Sequence, residues 1–173
     1  VLGSRIGMTP MCQYSARDGM AVDWYFVHYG SRAVGGAALM IVEATAVCAE
    51  GRISPGDLGL WNDQQIEPLA RIARFAQEQG VVAAVQLAHA GRKASVGLGW
   101  DAQRTLSASE GGWQPVAPSP VSFGEGYAVP TELDAAGLRE VIARFVAGAR
   151  RAREAGFTAV EIHAAHGYLC LLY

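Results

Sequence analysis

Three short apolar runs, each entered through glycine and separated by helical patterns, limit this chain to few folds. Ala38-Leu39-Met40-Ile41-Val42 follows Gly35-Gly36, Val81-Val82-Ala83-Ala84-Val85-Gln86-Leu87 follows Gly80, and Thr158-Ala159-Val160-Glu161-Ile162-His163 follows Gly156. Short runs of this kind, without regular polar alternation, read as strands buried on both faces. Between them, Ile66, Leu69, Ala70, Ala73 and Ala76 share one helical face, with Asn62 or Asp63 available as cap and Gly80 just past the end. Leu138, Val141, Ile142, Phe145, Val146, Ala149 and Ala152 do the same opposite Arg139, Glu140, Arg144 and Arg151, with Asp134 placed to cap and Gly156 to stop the helix. Asp23 to Val34 reads as a further helix, and Met8 to Tyr14 as the strand before it.

Strands alternating with helices imply parallel pairing through right-handed crossovers. A barrel and a doubly wound open sheet both satisfy that order. No G-x-G-x-x-G follows the first strand, and polar residues suited to chemistry recur at several strand ends, which favours the barrel. A closed (β/α)8 TIM barrel takes about 250 residues. The expected fold is therefore α/β: a partial TIM barrel of roughly the first four βα units, truncated after the fourth strand, with residues 1–173 forming one partial domain. One long connection, residues 88–131, carries Pro115, Pro118, Pro120 and Pro130 with Trp100, Trp113, Phe123 and Tyr127. Loops of this length are usually functional or disordered, and the aromatics favour an ordered flap over the strand ends.

With 51% hydrophobic and 17% charged residues, the chain can fill a core, so disorder is not expected. A net charge of -2 gives no electrostatic reason to expect nucleic acid or an anionic membrane as partner. No apolar run approaches the roughly 20 residues that span a bilayer, and the start lacks a signal-peptide pattern, so a cytoplasmic location is the default. Cys12, Cys48 and Cys170 are odd in number and widely spaced, which argues for free thiols over disulfides or a C-x-x-C metal site.

Glu161-Ile162-His163-Ala164-Ala165-His166-Gly167-Tyr168 carries the clearest chemistry. His163 ends a strand, where barrel enzymes place catalytic groups, and His166 and Tyr168 follow on the loop, so three donors can converge on one ligand oxygen. Two imidazoles would stabilise a developing oxyanion and the phenol could supply a proton. A lone histidine is ordinarily a satisfied core residue; three polar aromatic groups within six residues at a strand end weigh against that reading. The rival is metal-assisted chemistry at His163 and His166. Zinc takes three or four protein ligands, and no neighbouring cysteine or carboxylate obviously completes the set. Glu161 could share the inward face or form a structural ion pair.

Pro10-Met11-Cys12-Gln13-Tyr14, Val42-Glu43-Ala44, Gln86-Leu87-Ala88-His89-Ala90-Gly91-Arg92-Lys93 and His163-Ala164-Ala165-His166-Gly167-Tyr168-Leu169 together resemble the old yellow enzyme family, nearest its thermophilic-like branch with the xenobiotic reductases. The resemblance covers nearly the whole chain, in order and at family-like spacing. It implies FMN at the C-terminal mouth of the barrel. Pro10, Met11 and Ala44 would contact the isoalloxazine, Gln86 its pyrimidine edge, and Cys12 would tune its potential near N5 and O4. His163 and His166 would bind the activating carbonyl or nitro group, Tyr168 would donate the proton, and Tyr14 would contact substrate. In the implied ene-reductase reaction, NADPH reduces FMN, and reduced N5 delivers hydride to the β-carbon of an activated alkene while a proton reaches the α-carbon. Apart from the resemblance, Cys12 reads as a small buried hydrophobe. Arg92 and Lys93 could meet anionic groups, although solvated charge is the simpler reading.

The resemblance also exposes departures. Family members continue through four more strands, with an arginine facing the flavin and a glycine-rich phosphate grip, whereas here Leu169-Cys170-Leu171-Leu172-Tyr173 replaces the expected continuation. Val1-Leu2-Gly3-Ser4-Arg5-Ile6 likewise replaces a longer lead-in. An altered reading frame or incomplete gene would account for the ending. A half-barrel has two open sheet edges, so the expectation is weak FMN binding, poor activity and self-association or homo-oligomer formation. The competing expectation is a catalytically silent half-barrel with a structural role.

Overall fold

The computed structural model describes residues 2–101 and 103–171. Val1, Leu172 and Tyr173, from the two segments read as departures from the family, lie outside the described residues.

Four parallel strands form the sheet in the order β1 (Gly7–Met8), β2 (Leu39–Ala46), β4 (Val82–Ala88) and β7 (Ala159–Ile162). Short β3 (Leu58–Gly59) adds to the end of β2 in parallel. The crossovers are α1 (Asp23–Val34), α2 (Ile66–Glu78) and α3 (Ala135–Glu154). Because the strands follow chain order with no reversal between neighbours, the chain is a partial (β/α)8 barrel.

The helices form where the apolar stripes and their punctuation lie. Asp134 accepts a hydrogen bond from Gly137 N at 2.7 Å and caps α3; such a cap is worth about 1 kcal/mol. Gln65 Oε1 accepts from Asn62 N at 3.1 Å on a single 3-10 turn, which α2 then continues. Gly80 and Gly156, just past α2 and α3, take the left-handed conformation that turns the chain back to the sheet. The stripes meet the strands in one core: Tyr25 and Tyr29 of α1, Leu69 and Ile72 of α2 and Ala152 of α3 pack with Met40, Val42, Ala83, Val85 and Leu87. Burying each large side chain contributes about 1.5–3 kcal/mol. Because Gly148 brings α3 against Val47, even a methyl there would lie 3.1 Å from the valine side chain.

The first strand is shorter than the sequence predicts. Gly7 and Met8 pair with Leu39 and Met40, but Thr9 to Tyr14 leave the ladder. Pro10 has no N–H to offer β2, and the segment beyond it is held by side chains. The register of β2 on β4 also shifts: Val42 pairs with Val85 and Thr45 with Leu87, so β2 carries one residue more than its neighbour. Such a bulge re-aims side chains, and Glu43, inside it, reaches the tyrosines of α1.

The connection from β4 to α3 is anchored. Its last third is closed by the parallel pair β5 (Val116–Ala117) and β6 (Thr131–Glu132). Trp113 donates from Nε1 to Glu50 O at 2.8 Å, and the Arg52 guanidinium lies 4.8 Å from the Trp113 ring centre. The two flanks of the sheet differ from its covered interior: Val160 and Ile162 of β7 are 44% and 58% exposed, while Ile6, Trp24 and Val27 are exposed beside β1 and on α1. No described helix is long and apolar enough to cross a membrane.

Candidate active site

Of the sequence-predicted groups, His163, His166 and Tyr168 lie together past the C-terminal end of β7. His163 follows β7 directly, and its N–H donates to Leu87 O at 2.9 Å, which fixes it beside the end of β4. Its ring lies 5.2 Å from that of His166 and 4.8 Å from that of Tyr168, both edge-on. The turn between them is unusual because His166 and Gly167 are both left-handed, with φ of 58° and 73°. A non-glycine residue in that region costs about 1–2 kcal/mol. Lys93 contributes to holding it, with Nζ donating to His166 O at 3.2 Å.

Burial, then the neighbouring His166, pushes the His163 imidazole toward its neutral form. A neutral imidazole donates from one nitrogen only. Burial also pushes the Tyr168 phenol upward, with Cys12 and Tyr14 adding to the effect, so the phenol keeps its proton at neutral pH. Cys12 and Tyr14 thus belong to the same electrostatic cluster as Tyr168. Among the described residues, no group of three His, Cys, Asp or Glu is arranged to hold a metal ion.

The other side of the site is the segment that left the ladder. Gln13 N donates to Glu43 Oε1 at 2.9 Å, and Ser15 N donates to the Tyr25 hydroxyl at 3.2 Å. Tyr14, between them, is left-handed with φ of 51° and packs edge-on against Trp100 at 5.8 Å. Two glycines make room for it: a methyl on Gly99 would collide with its ring, and one on Gly56 would lie 2.6 Å from its carbonyl oxygen. The partly buried Cys12 is a free thiol; burial raises it first, followed by Asp57 and Glu43, while hydrogen bonding from the Ala44 backbone pulls the other way. Ala44 is buried, Pro10 half-buried and Met11 exposed, with Met11 O accepting from Gln13 Nε2 at 2.9 Å. Gln86 on β4 is buried, and its Nε2 donates to Glu161 Oε1 on β7, the residue opposite in register. Glu161 therefore meets an amide instead of the cation an ion pair needs.

Three features escape a linear reading. Lys93 is not simply solvated, since its ammonium lies 4.5 Å from the Phe123 ring centre and 4.6 Å from that of Tyr168. Glu43 is fully buried and is bonded to residues 14 to 30 positions away. Asp57, also buried, accepts from Ser54 Oγ at 2.7 Å and Ile53 N at 2.8 Å. The acidic residue inside an apolar strand was the available signal for Glu43; nothing local marks the other two.

Comparison with known proteins adds an independent line. The sequence profile of the NADH:flavin oxidoreductase / NADH oxidase family matches residues 1–173. An NADPH dehydrogenase of Listeria monocytogenes is 49% identical over 170 residues, covering 97% of this chain and 46% of that protein. An NADH:flavin oxidoreductase of Gibberella zeae is 48% identical over 170 residues, covering 96% and 41%. Among solved structures, morphinone reductase superimposes with a TM-score of 0.80 at 28% identity over 97% of this chain and 46% of its own. The old yellow enzyme homologue of Zymomonas mobilis gives 0.79 at 31% identity over 95% and 45%. The chain spans a little under half the length of these relatives.

Proposed function

The chain belongs to the NADH:flavin oxidoreductase / NADH oxidase family, and on that premise we propose that it supplies the substrate-binding and ring-facing half of an FMN-dependent, NADPH-consuming reductase of activated alkenes. The observation that carries the reading is the triangle of His163, His166 and Tyr168 at the end of β7.

The donor set suits a flavin ring. The small Ala44 leaves space for a flat heterocycle, the Gln86 amide can bond the acceptor and donor atoms of its edge, and the Cys12 thiol offers a weak donor. Pro10, Met11, Cys12, Ala44, Gln86 and His163 are the residues that would hold it. FMN, when bound, supplies the two-electron chemistry, taking reducing equivalents from NADPH and passing them to the alkene.

This chain's own residues do the rest. His163 and His166 donate hydrogen bonds to the carbonyl or nitro oxygen of an α,β-unsaturated substrate and stabilise the charge that develops there. Tyr168, kept protonated by burial, donates its hydroxyl proton to the α-carbon. Tyr14 lines the substrate side. The expected compartment is the cytoplasm. Alone, the chain is expected to hold FMN weakly and to associate through the β1 and β7 edges, where Val160 and Ile162 are exposed; that exposure also favours the second reading, a silent half-barrel with a structural role.

Co-expression with the remaining βα units of the Listeria relative tests the proposal. The expected product is a yellow complex that oxidises NADPH faster when an α,β-unsaturated ketone is added. Tyr168→Phe should slow that oxidation by about 100-fold or more. A flavin-free complex, or a Tyr168→Phe variant at full rate, would refute the assignment.

A further inference from the structure

Glu43 is one of the buried ionisable groups that the reaction above leaves without a task. It has no accessible surface, and no ion pair among the described residues includes it. A carboxylate in that position is tolerated only when its oxygens are hydrogen-bonded. Here Oε1 accepts from Gln13 N at 2.9 Å and from the Tyr25 hydroxyl at 3.3 Å, and Oε2 accepts from the Tyr29 hydroxyl at 2.8 Å. Tyr29 in turn accepts from Glu43 N at 2.9 Å. The Tyr25 hydroxyl also receives Ser15 N. Two backbone donors on either side of Tyr14 therefore hang from one carboxylate and its phenol partner, in a segment that β-pairing releases after Met8.

We propose that Glu43 is the positioning residue of the Cys12–Tyr14 segment, and that its carboxylate acts on the Cys12 sulfur from beneath the candidate flavin site. The proposal relies on the functional reading above only for placing Cys12 toward the flavin. A glutamine would offer one acceptor oxygen to these three donors, whereas the carboxylate accepts on both of its oxygens and also adds charge. The groups facing it are Tyr25 and Tyr29 from α1, Cys12 and Tyr14 from the hanging segment, and Asp57 from the loop before β3, whose own nearest cationic influence is Arg52. Glu43 and Asp57 both hold the Cys12 thiol in its protonated form, adding to burial. Burial raises the Glu43 carboxyl to about 7, against the opposing hydrogen bonds from Gln13, Tyr29 and Tyr25. Its charge therefore changes near neutral pH, one peptide unit from Cys12, since Oε1 lies 2.9 Å from the Gln13 amide nitrogen.

The test needs no flavin. The apo chain and Glu43→Gln are labelled with N-ethylmaleimide between pH 5.5 and 8, and Cys12 labelling is followed by peptide mass spectrometry, with exposed Cys170 as the internal control. Reaction requires the thiolate, so below the thiol's own titration the rate tracks thiolate fraction. The two proteins should label Cys12 at similar rates near pH 5.5, where Glu43 is neutral in both. Glu43→Gln should pull ahead by about 3- to 10-fold by pH 8, where a like charge has been removed from beside the thiol. Should Glu43→Gln fail to fold, Tyr29→Phe removes a donor that favours the ionised carboxyl and should move the inflection in the Cys12 rate to higher pH. A rate ratio that stays constant with pH would identify simple loosening and overturn the proposal. A wild-type profile with no inflection near pH 7 would do the same, and neither result would bear on the assignment of Tyr168.

Discussion

Gly91 offers a quantitative test of how the loop carrying Tyr168 is seated. It is left-handed with φ of 59°, and a Cβ there would lie 2.9 Å from Leu169 N, 3.0 Å from its Cα and 3.1 Å from its Cβ. None of these atoms is the free end of a flexible side chain, so relief requires the backbone after Tyr168 to move. Gly80 is the matched control, left-handed with φ of 79° but with nothing within 4 Å of an added Cβ. Alanine in the left-handed region costs about 1–2 kcal/mol, offset by about 0.4–1 kcal/mol from a less flexible unfolded chain. Gly80→Ala should therefore lose about 1 kcal/mol. Gly91→Ala adds overpacking worth about 1–3 kcal/mol, and it disturbs the bonds from Leu169 N to His89 O and from Gly91 N to His89 Nδ1, both 3.1 Å. Its total should be about 3 kcal/mol. In urea, with a slope of about 2 kcal/mol per M, the two midpoints should differ by about 1 M. Equal losses from both variants would mean that Leu169 does not approach Gly91 closely, and the seating of the Tyr168 loop would need another explanation.

Three further outcomes are expected. Burial lowers the His89 imidazole to about 4; because its folded value lies below its unfolded one near 6.5, stability is full above pH 6.5 and lost as pH falls toward 4, by about 3 kcal/mol. His89→Gln should abolish that contribution, and acid denaturation curves of the two proteins that differ only by a constant offset would contradict it. Placing lysine at Val160 and Ile162 on the β7 edge should shift sedimentation toward monomer, since charged edges resist pairing; unchanged sedimentation would remove β7 from the association surface. Asp134→Ala should cost about 1 kcal/mol through loss of the α3 cap, and a midpoint within error of wild type would show that the bond to Gly137 contributes nothing.

What the sequence made legible was what local spacing controls. α1 spans Asp23–Val34 as its pattern predicts, α3 starts after Asp134, β4 and β7 match their apolar runs within a residue at each end, and β2 starts with its run but continues four residues past Val42 to Ala46. Two-residue β3, β5 and β6 left no such trace, because a ladder that short is defined by its partner. The overextended first strand fails for a related reason: Met11 to Tyr14 resemble a strand, yet the Gln13 amide and that of the following Ser15 go to Glu43 and Tyr25. Within the site, His163, His166 and Tyr168 were readable because they sit together in sequence. Lys93 was not, since Phe123 and Tyr168 reach it from 30 and 75 residues along the chain. The motif resemblance identified the family before any coordinate was needed; what it could not supply was the support beneath Cys12.

The extra residue in β2 separates two kinds of genetic change. Losing one codon at position 43 or 44 would let β2 match β4 step for step, and a sheet so straightened should retain its helical and strand content by circular dichroism. Loss of Glu43 would strand the Gln13 amide and leave the Tyr25 and Tyr29 hydroxyls without their shared acceptor. At this point in the chain, then, a regular strand and a supported mouth are alternatives, because the residue inside the register shift is the one that holds the Gln13 amide, so gaps here in related sequences should coincide with a different chemistry at the positions of Cys12 and Tyr14.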